Sequence, residues 1–243
     1  MGGLSEKTLN YQHLSEIYDA IMGDPEGVKL YVAMLQNVLV GSKILDLACG
    51  TGDLTLKLSQ LGFDMTGLDL SEPMLEIAKG KDEEKVISFI CGNMLTFELN
   101  EVFDSIVCAN DSVNYCSSLD QLTKLFKGVN RHLPMGGVFV FDYHQKARLE
   151  EFGDPFDEEG RVGDIGYHWH IESDPPVLRH IITLYSNGYP IIETHEQFVF
   201  DLMDIQELLR EQGFECEVTD PADVENLYLD EKWIIKAQKE RDV

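Results

Sequence analysis

The chain has 243 residues, 44% of them apolar, and its 44 acidic against 19 basic side chains give a formal net charge of −25. This length suits one large domain with a sizeable core and room for an insertion. Nucleic-acid binders need clustered cations to neutralise phosphates, so the charge disfavours nucleic acid as a partner. The first residues lack the apolar centre of a secretion signal, and no apolar run approaches the ~20 residues that span a bilayer. Since the five cysteines show no metal-binding or redox spacing, we predict a reduced, soluble, cytoplasmic protein that does not contact membranes.

The stretch 44–52, Ile-Leu-Asp-Leu-Ala-Cys-Gly-Thr-Gly, is the most informative part of the sequence. An apolar run that contains Asp46 passes into a turn with Gly50 and Gly52, and a helical pattern of leucines follows. Such a turn lies at the carboxyl edge of a parallel sheet, where open α/β folds bind ligands, and glycine lets the backbone approach a ligand closely. Thr55 stands where a dinucleotide-binding loop needs its third glycine, and the Walker Gly-Lys-Ser/Thr ending is absent. The stretch therefore predicts a nucleotide-type loop in which Asp46 repels phosphate and attracts an ammonium group; an ordinary glycine-containing turn is the alternative.

This stretch closely resembles motif I of the class I methyltransferases that use S-adenosylmethionine. The resemblance implies an α/β fold, a Rossmann-like seven-stranded, mostly parallel sheet flanked by helices. It also implies S-adenosylmethionine as the cofactor, a ligand with an amino-acid moiety and no phosphate, bound by Asp46, Ala48, Gly50 and Gly52. The resemblance is strong over residues 40–145 and holds only in outline elsewhere.

A second strand, predicted over 63–70, ends at Asp69, close to the spacing of about 20 residues at which a carboxylate accepts hydrogen bonds from ribose hydroxyls. Ser71 is a predicted N-cap of the helix 72–79. The resemblance implies that Asp69 binds both ribose hydroxyls and that Leu70 and Met74 flank the adenine. A capping role for Asp69 at the strand end is the alternative.

A third strand, predicted over 86–91, leads to Asn93 and Met94. The resemblance places Asn93 next to the adenine amino group, where its amide can both accept and donate, with Met94 beside it. A simple turn residue after Gly92 is the alternative for Asn93.

A fourth strand, predicted over 103–108, leads into a polar turn that begins with Ala109 and Asn110. In the resembled family this turn lies beside the methyl group, which implies that Ala109 contacts the cofactor. Nucleic-acid amino methyltransferases carry Asn/Asp-Pro-Pro-Tyr/Phe there, and this chain has no proline in the turn. The turn is therefore more similar to that of the small-molecule enzymes.

A helix over 120–133 and a fifth strand over 138–141 follow, which places Asp142, Tyr143 and His144 at the carboxyl rim of the sheet. We predict His144, Tyr143 and Asn110 as the catalytic residues.

Residues 150–200 are predicted to form an antiparallel insertion that covers the substrate site, while 1–149 and 201–243 form the cofactor-binding core. An acidic link over 150–155 opens the insertion, and strand-like stretches lie near 166–172, 177–186 and 189–200. Asn187-Gly188 between the last two is a strong hairpin signal. Asp201 then caps a helix to Gln212, and strands over 214–219 and 232–239 close the core, antiparallel as the resemblance implies.

Five histidines lie within or beside the insertion: His144, His168, His170, His180 and His195. A two-residue Asn-Gly turn places His180 opposite His195, and a three-residue loop in the first hairpin would place His170 opposite His180 as well. Such a row could supply a general base or bind a metal, or it could be plain polar surface. We predict no metal.

Tyr11 and Tyr18, in a predicted N-terminal helix, resemble tyrosines that small-molecule methyltransferases fold over the cofactor; packing of the helix is the alternative. We predict an S-adenosylmethionine-dependent methyltransferase that acts on a neutral or cationic small molecule, through nitrogen or oxygen rather than carbon. The alternatives are a tRNA or rRNA methyltransferase and a non-catalytic partner protein with the same fold.

Overall fold

The computed structural model describes residues 11, 13–23, 25–186, 189–220 and 232–243. Its strands are β1 (Lys43–Leu47), β2 (Asp64–Asp69), β3 (Ser88–Cys91), β4 (Ser105–Cys108), β5 (Val138–His144), β6 (Phe156–Val162), β7 (Ile165–Asp174), β8 (Val177–Ser186), β9 (Tyr189–Phe198), β10 (Phe214–Thr219) and β11 (Lys232–Lys239).

The helices are α1 (Tyr18–Ile21), α2 (Pro25–Val38), α3 (Asp53–Gln60), α4 (Glu72–Lys81), α5 (Leu119–Arg131), α6 (Ala147–Glu151) and α7 (Leu202–Glu211), with short 3-10 turns at Leu14–Glu16 and Ser112–Tyr115. Among these described helices, none has the length and apolar character needed to cross a bilayer.

Seven strands form the central sheet in the order β3-β2-β1-β4-β5-β11-β10. All neighbours pair in parallel except β11, which is antiparallel to both β5 and β10. This is the predicted Rossmann-like sheet. Because the chain leaves β1 towards β2 on one side and later returns to β4 on the other, a crevice opens at the carboxyl end of β1.

Burial on both faces explains why the central strands read as continuous apolar runs. All four residues of β4 and all seven of β5 are buried. β5 extends through Asp142, Tyr143 and His144, three residues beyond the predicted end at 141, because β11 pairs with it as far as Lys232 opposite His144. The predicted rim residues are therefore buried strand residues.

A second, antiparallel sheet has the order β6-β7-β8-β9. The three predicted strands of the insertion are present, and β6 is an additional one. Its sequence, Phe-Asp-Glu-Glu-Gly-Arg-Val, is mostly exposed and polar, so apolar alternation gave no signal for it. The link predicted over 150–155 is in part the end of α6.

The hairpin registers decide which histidines share a face. Ser186 pairs with Tyr189, so His180 lies opposite His195 as predicted; the Asn187-Gly188 dipeptide itself lies outside the described residues. In the preceding hairpin Asp174 pairs with Val177 across a two-residue turn, so Ile171 and not His170 lies opposite His180. The three-residue loop was wrong, and His170 lies on the other face with His168.

Candidate active site

The turn after β1 is compact because Ala48, Gly50 and Gly52 all adopt left-handed backbone angles, with φ of 57°, 54° and 78°. The two glycines serve different purposes. A Cβ built on Gly52 would lie 2.9 Å from the Cβ of Ala78, so this glycine permits close packing of α4. A Cβ built on Gly50 meets no atom within 4 Å, so the space over Gly50 is open to a ligand.

Asp69 stands at the edge of this open space at the end of β2. Its Oδ2 accepts a hydrogen bond from the Gly50 N–H at 2.8 Å, and its Oδ1 accepts one from the Ser71 N–H at 2.8 Å. Partial burial raises the pKa of Asp69, and these backbone donors oppose the rise. Each carboxylate oxygen has a second lone pair, so the cap at Ser71 leaves acceptors for ligand hydroxyls.

Asp46 lies deeper, only 2% exposed. Its Oδ2 accepts a hydrogen bond from the Thr55 hydroxyl at 2.6 Å. Burial raises the pKa of Asp46 to about 7, with the Thr55 bond opposing and the charge of Asp69 adding to the shift. A cation bound at the loop would favour the ionised form of Asp46.

Leu70 and Met74 begin the wall next to Asp69. Ser71 caps α4 as predicted and accepts from the Met74 N–H at 3.4 Å, which fixes the first turn of the helix. Met74 is buried, whereas Leu70 is 50% exposed, as expected of a surface left for a flat apolar ligand group.

Asn93 and Met94 follow the adjacent strand β3. The Asn93 Oδ1 accepts from the Leu95 N–H at 2.8 Å, so this side chain stabilises the turn. Met94 is partly buried against the main core. Their predicted adenine contacts stay predictions.

The turn after β4 contains two consecutive residues other than glycine in the left-handed region, Asn110 (φ 55°) and Asp111 (φ 60°). Such angles are uncommon outside glycine and cluster at functional sites. Ala109 before them is buried and Asn110 is exposed at the sheet edge.

Asp111, Asp142 and Lys232 form an ion cluster behind this turn. The Lys232 Nζ lies 2.6 Å from Asp111 Oδ1 and 3.2 Å from Asp142 Oδ2. Burial raises the pKa of Asp142 to about 6, while for Asp111 the charges of Lys232 and His144 outweigh burial and lower the pKa. The two carboxylates in turn outweigh burial of Lys232 and raise its pKa. Sequence reasoning did not identify Lys232 as a site residue. It is recognisable in the sequence only as the first residue of the strand predicted over 232–239, which is β11.

His144 faces the insertion. Its Nε2 lies 3.0 Å from Gln197 Oε1 and 3.6 Å from Asp111 Oδ2, and burial lowers its pKa. Gln197 Oε1 is also 3.2 Å from His180 Nε2, and the Trp169 indole donates to His180 Nδ1 at 3.2 Å. Burial lowers the pKa of His180 to about 4. This polar chain connects β5 to the second sheet.

Tyr143 has a different environment from the one predicted. Its hydroxyl donates to the Phe198 carbonyl at 2.9 Å and accepts from the Phe200 N–H at 2.7 Å. The side chain is 1% exposed. Tyr143 therefore connects the residues at the end of β9 to the core. Because backbone groups use both the donor and the acceptor of its hydroxyl, this geometry does not favour a catalytic role for Tyr143.

Three tyrosines meet beside the turn after β4. The hydroxyls of Tyr11 and Tyr115 are 2.5 Å apart, and the rings of Tyr11 and Tyr18 have centroids 5.6 Å apart. Burial raises the pKa of all three, that of Tyr18 to about 12, so the hydroxyls are neutral. Tyr18 begins α1, but Tyr11 precedes it with φ 57° and lies outside any helix. Sequence reasoning did not single out Tyr115.

The N-terminal segment, residues 11 and 13–21, contacts both the turn after β1 and the insertion. At one end Asp19 accepts from the Thr51 hydroxyl at 2.6 Å and pairs with Lys81 at 2.6 Å. At the other, Glu193 Oε1 accepts from the N–H groups of His13 at 2.6 Å and Leu14 at 3.2 Å. An apolar cluster joins the same units through Leu14, Ile17, Ile182 and Leu184. These contacts join residues far apart in the chain, so they could not be predicted from a local sequence pattern.

Comparison with known proteins agrees with this geometry. Residues 44–137 match the family model described as "Methyltransferase domain". The chain is 30% identical to "Putative methyltransferase YqeM" of Bacillus subtilis (strain 168), over 96% of this chain and 98% of that protein. It is 35% identical over 99 residues, 41% of this chain and 39% of the relative, to a dTDP-4-amino-2,3,4,6-tetradeoxy-D-glucose N,N-dimethyltransferase of Saccharopolyspora spinosa.

Among solved structures, an S-adenosylmethionine-dependent methyltransferase from Clostridium acetobutylicum ATCC 824 superposes with a TM-score of 0.78 at 26% identity, covering 95% of this chain and 99% of the other. The open space over Gly50, with one carboxylate at Asp69 and a second, buried one at Asp46, fits a ligand that carries both ribose hydroxyls and an ammonium group. The chain therefore belongs to the class I methyltransferases and is an enzyme that uses S-adenosylmethionine.

Proposed function

We propose that this enzyme methylates a nitrogen or oxygen atom of a neutral or cationic small molecule. The observation that carries the proposal is the convergence of three units at one place: the N-terminal segment with Tyr11, the turn after β4 with Tyr115, and the second sheet with His195. The rings of Tyr11 and His195 have centroids 4.3 Å apart, and the Tyr11 hydroxyl bonds Tyr115. A site enclosed in this way suits a small acceptor better than a polymer.

The charge of the site supports the same acceptor class. Asp111 and Asp142 both pair with Lys232, and Asp69 stands on the ligand side of the loop. Neutral tyrosine rings beside carboxylates attract a cation. The chain as a whole has a net charge of −25, which opposes a polyanionic acceptor.

The relative from S. spinosa is named for methylating an amino group, which supports nitrogen. The alignment with it spans 41% of this chain. Because this alignment covers less than half of the chain, an oxygen atom of the acceptor is the second candidate for the methylated atom.

We further propose the division of labour predicted from the sequence, with residues 150–200 over the acceptor and the remainder holding the cofactor. Bound S-adenosylmethionine supplies a methyl group that its sulfonium has already activated. Asp46, Gly50 and Asp69 hold the cofactor, and the exposed Asn110 lies at the acceptor side of the sheet edge. Orientation and exclusion of water are then one part of the enzyme's contribution, and they can supply roughly 7–11 kcal/mol for well-positioned groups.

The test offers methyl-labelled S-adenosylmethionine together with either a small-molecule cell extract or an RNA extract. We expect label in the small-molecule fraction only, and none with Asp69→Ala, which lacks the carboxylate for the ribose. Label in the RNA fraction would replace this proposal by a tRNA or rRNA methyltransferase. Cofactor binding without label in either fraction would indicate a non-catalytic partner protein.

A further inference from the structure

His195 lies on β9 beneath the N-terminal segment and is 3% exposed. Tyr11 covers its ring, with 34° between the ring planes, and the edge of Tyr115 approaches it with centroids 6.2 Å apart. Tyr115 closes the turn that follows β4. His195 therefore borders the space proposed for the acceptor.

Neither ring nitrogen of His195 has a hydrogen-bond partner within the described part of the chain. Buried polar groups are nearly always bonded, and leaving one unbonded costs about 1–3 kcal/mol. His180 on the same face of the second sheet and His144 at the end of β5 do have a partner, because both bond Gln197. The Nε2 atom of His195 faces Glu193 Oε2 at 3.6 Å, so Nδ1 is the ring nitrogen that can bond a ligand.

Glu193, two residues earlier on the same face, supports the ring. It is 1% exposed, and its Oε1 is fixed by the two backbone N–H groups of the N-terminal segment. Its Oε2 has no hydrogen-bond partner among the described residues and lies 3.6 Å from His195 Nε2. Burial opposes ionisation of Glu193, but His195 and the backbone donors outweigh it and hold the pKa below its usual range. An ionised carboxylate beside an imidazole orients the ring and stabilises the imidazolium.

We propose that His195, positioned by Glu193, is the general base that takes the proton lost by the acceptor, which is therefore a protic nucleophile, an amine with an N–H or a hydroxyl compound. In this step the acceptor heteroatom forms a bond to the methyl carbon, and the methyl–sulfur bond breaks with its electron pair remaining on sulfur. The proton of the heteroatom passes to a ring nitrogen of His195 and then to solvent. The inference rests on the proposed function and names the acceptor class of the same site.

The titratable groups that face His195 come from four elements. Glu193 lies on the same strand, His180 on β8, Tyr11 on the N-terminal segment and Tyr115 on the 3-10 turn after β4. Burial keeps the pKa of His180 near 4 and raises that of both tyrosines, while the pKa of Glu193 is lowered. None of these four groups changes charge near neutral pH.

The first test compares His195→Gln with His168→Gln, a change on the opposite face of the same sheet, where the imidazole bonds Asp157. The probe is labelled S-adenosylmethionine with the small-molecule fraction that the unaltered enzyme methylates. We expect His195→Gln to keep its thermal unfolding midpoint and its calorimetric affinity for S-adenosylhomocysteine. Its kcat should fall roughly 100-fold or more, the usual contribution of a general base. His168→Gln should match the unaltered enzyme in all three measurements.

The second test separates proton transfer from packing. At saturating cofactor, where the pH dependence of cofactor binding through Asp46 does not limit the rate, the kcat of the unaltered enzyme should rise with pH through an ionisation that is absent in His195→Gln. Glu193→Gln should move that rise to lower pH because the imidazolium loses its counter-charge. Added imidazole should restore part of the activity of His195→Gly. Full kcat with an unchanged pH profile in His195→Gln would overturn the inference, as would loss of kcat without imidazole rescue. If the unaltered enzyme labels no small molecule, the proposed function itself fails.

Discussion

Asp46 and Asp69 lie at the carboxyl ends of two neighbouring strands, yet they respond differently to protons. Burial raises the pKa of both, but that of Asp46 reaches about 7, because it is almost fully buried and the Thr55 hydroxyl is its one hydrogen-bond donor among the described residues. Asp69 accepts from two backbone N–H groups that favour its charged form. Near neutral pH the cofactor site therefore changes charge through Asp46.

We predict that cofactor binding depends on pH through Asp46. The pKa of Asp46 is about 7 in the folded protein, which is above its value in the unfolded chain. The protonated form of Asp46 therefore stabilises the fold, fully below about pH 4, and this stabilisation is lost as pH rises through 7. The free energy of unfolding changes by a few kcal/mol as a result. The ligand ammonium favours the same ionised form that burial disfavours. The increase in melting temperature on adding S-adenosylhomocysteine should thus be larger at about pH 8 than at about pH 5.5 in the unaltered protein. It should be nearly constant in Asp46→Asn.

The matched control is Asp64→Asn, which changes an exposed carboxylate at the other end of β2. It should keep the full pH dependence. A pH dependence retained in Asp46→Asn would assign the titration to another group.

At this scale the sequence was informative where chemistry depends on local spacing. The turn at 48–52 and the carboxylate at Asp69 follow one another within two βα units, and the structure brings them together. Tyr115, Lys232 and Glu193 were not recognised, because each acquires its position from contacts made across 90 or more residues. Tyr143 was predicted as a catalytic residue at the sheet rim, and the backbone groups that bond its hydroxyl, which belong to the insertion, could not be read from the local sequence.

At the scale of elements, the turn after β1 can be tested against another turn that contains a glycine with positive φ. Gly50 and Gly62 both have positive φ, 54° and 94°, and a Cβ built on either meets no atom within 4 Å. An alanine at Gly50 therefore costs about 1–2 kcal/mol of backbone strain without a clash inside the protein, and an alanine at Gly62 costs at least as much. They differ in that the space over Gly50 is the one proposed for the cofactor.

We predict that Gly50→Ala loses at least about 1.4 kcal/mol of cofactor binding free energy, a factor of ten in affinity, while Gly62→Ala binds normally. Both should unfold at similar temperatures. Calorimetry with S-adenosylhomocysteine measures the affinities and circular dichroism the unfolding. Equal affinities for the two variants would show that the cofactor does not approach Gly50.

Element boundaries show which patterns carry information. The strands β1, β2 and β4 were recognisable because burial on both faces demands apolar runs. The extension of β5 into Asp142 and His144 was hidden, because polar residues in a strand look like its end unless their ion and hydrogen-bond partners are known. β6 could not be predicted because an exposed edge strand has no apolar face and therefore no apolar alternation in its sequence.

At the scale of the whole molecule, the second sheet and the N-terminal segment depend on one another. Leu14 and Ile17 pack against Ile182 and Leu184, and Glu193 fixes the segment backbone. The ends of the sheet meet the core close together, because Phe152 bonds Ser173 and Val199 bonds Pro176 across the same turn. A short linker can therefore join residue 155 to residue 199 in place of the second sheet.

We predict that replacing residues 156–198 by a short glycine–serine linker spares cofactor binding and abolishes methyl transfer. Asp46, Gly50 and Asp69 all lie outside the replaced part. Ile171 and Leu178 leave the main core with it, so the melting temperature should fall. Calorimetry and labelled transfer should be run at a temperature where circular dichroism shows a folded protein.

The control inserts two residues at the exposed β6–β7 turn, Gly163-Asp164, and so lengthens the insertion without removing it. This variant should retain transfer. A protein without residues 156–198 that still methylates its acceptor would place the acceptor under the N-terminal segment alone.

The placement of the two tryptophans provides an optical reporter for the molecule. Trp169 lies in the second sheet with its indole bonded to His180, and Trp233 lies in the central sheet opposite Tyr143. Trp233→Phe would leave Trp169 as the one tryptophan, and its emission, excited selectively at the red edge of the absorption band, depends on the hydrogen bond to His180 and on the polar chain that reaches β5. Fluorescence of that variant would report in real time how the second sheet responds when the acceptor enters, separately from events at the cofactor loop.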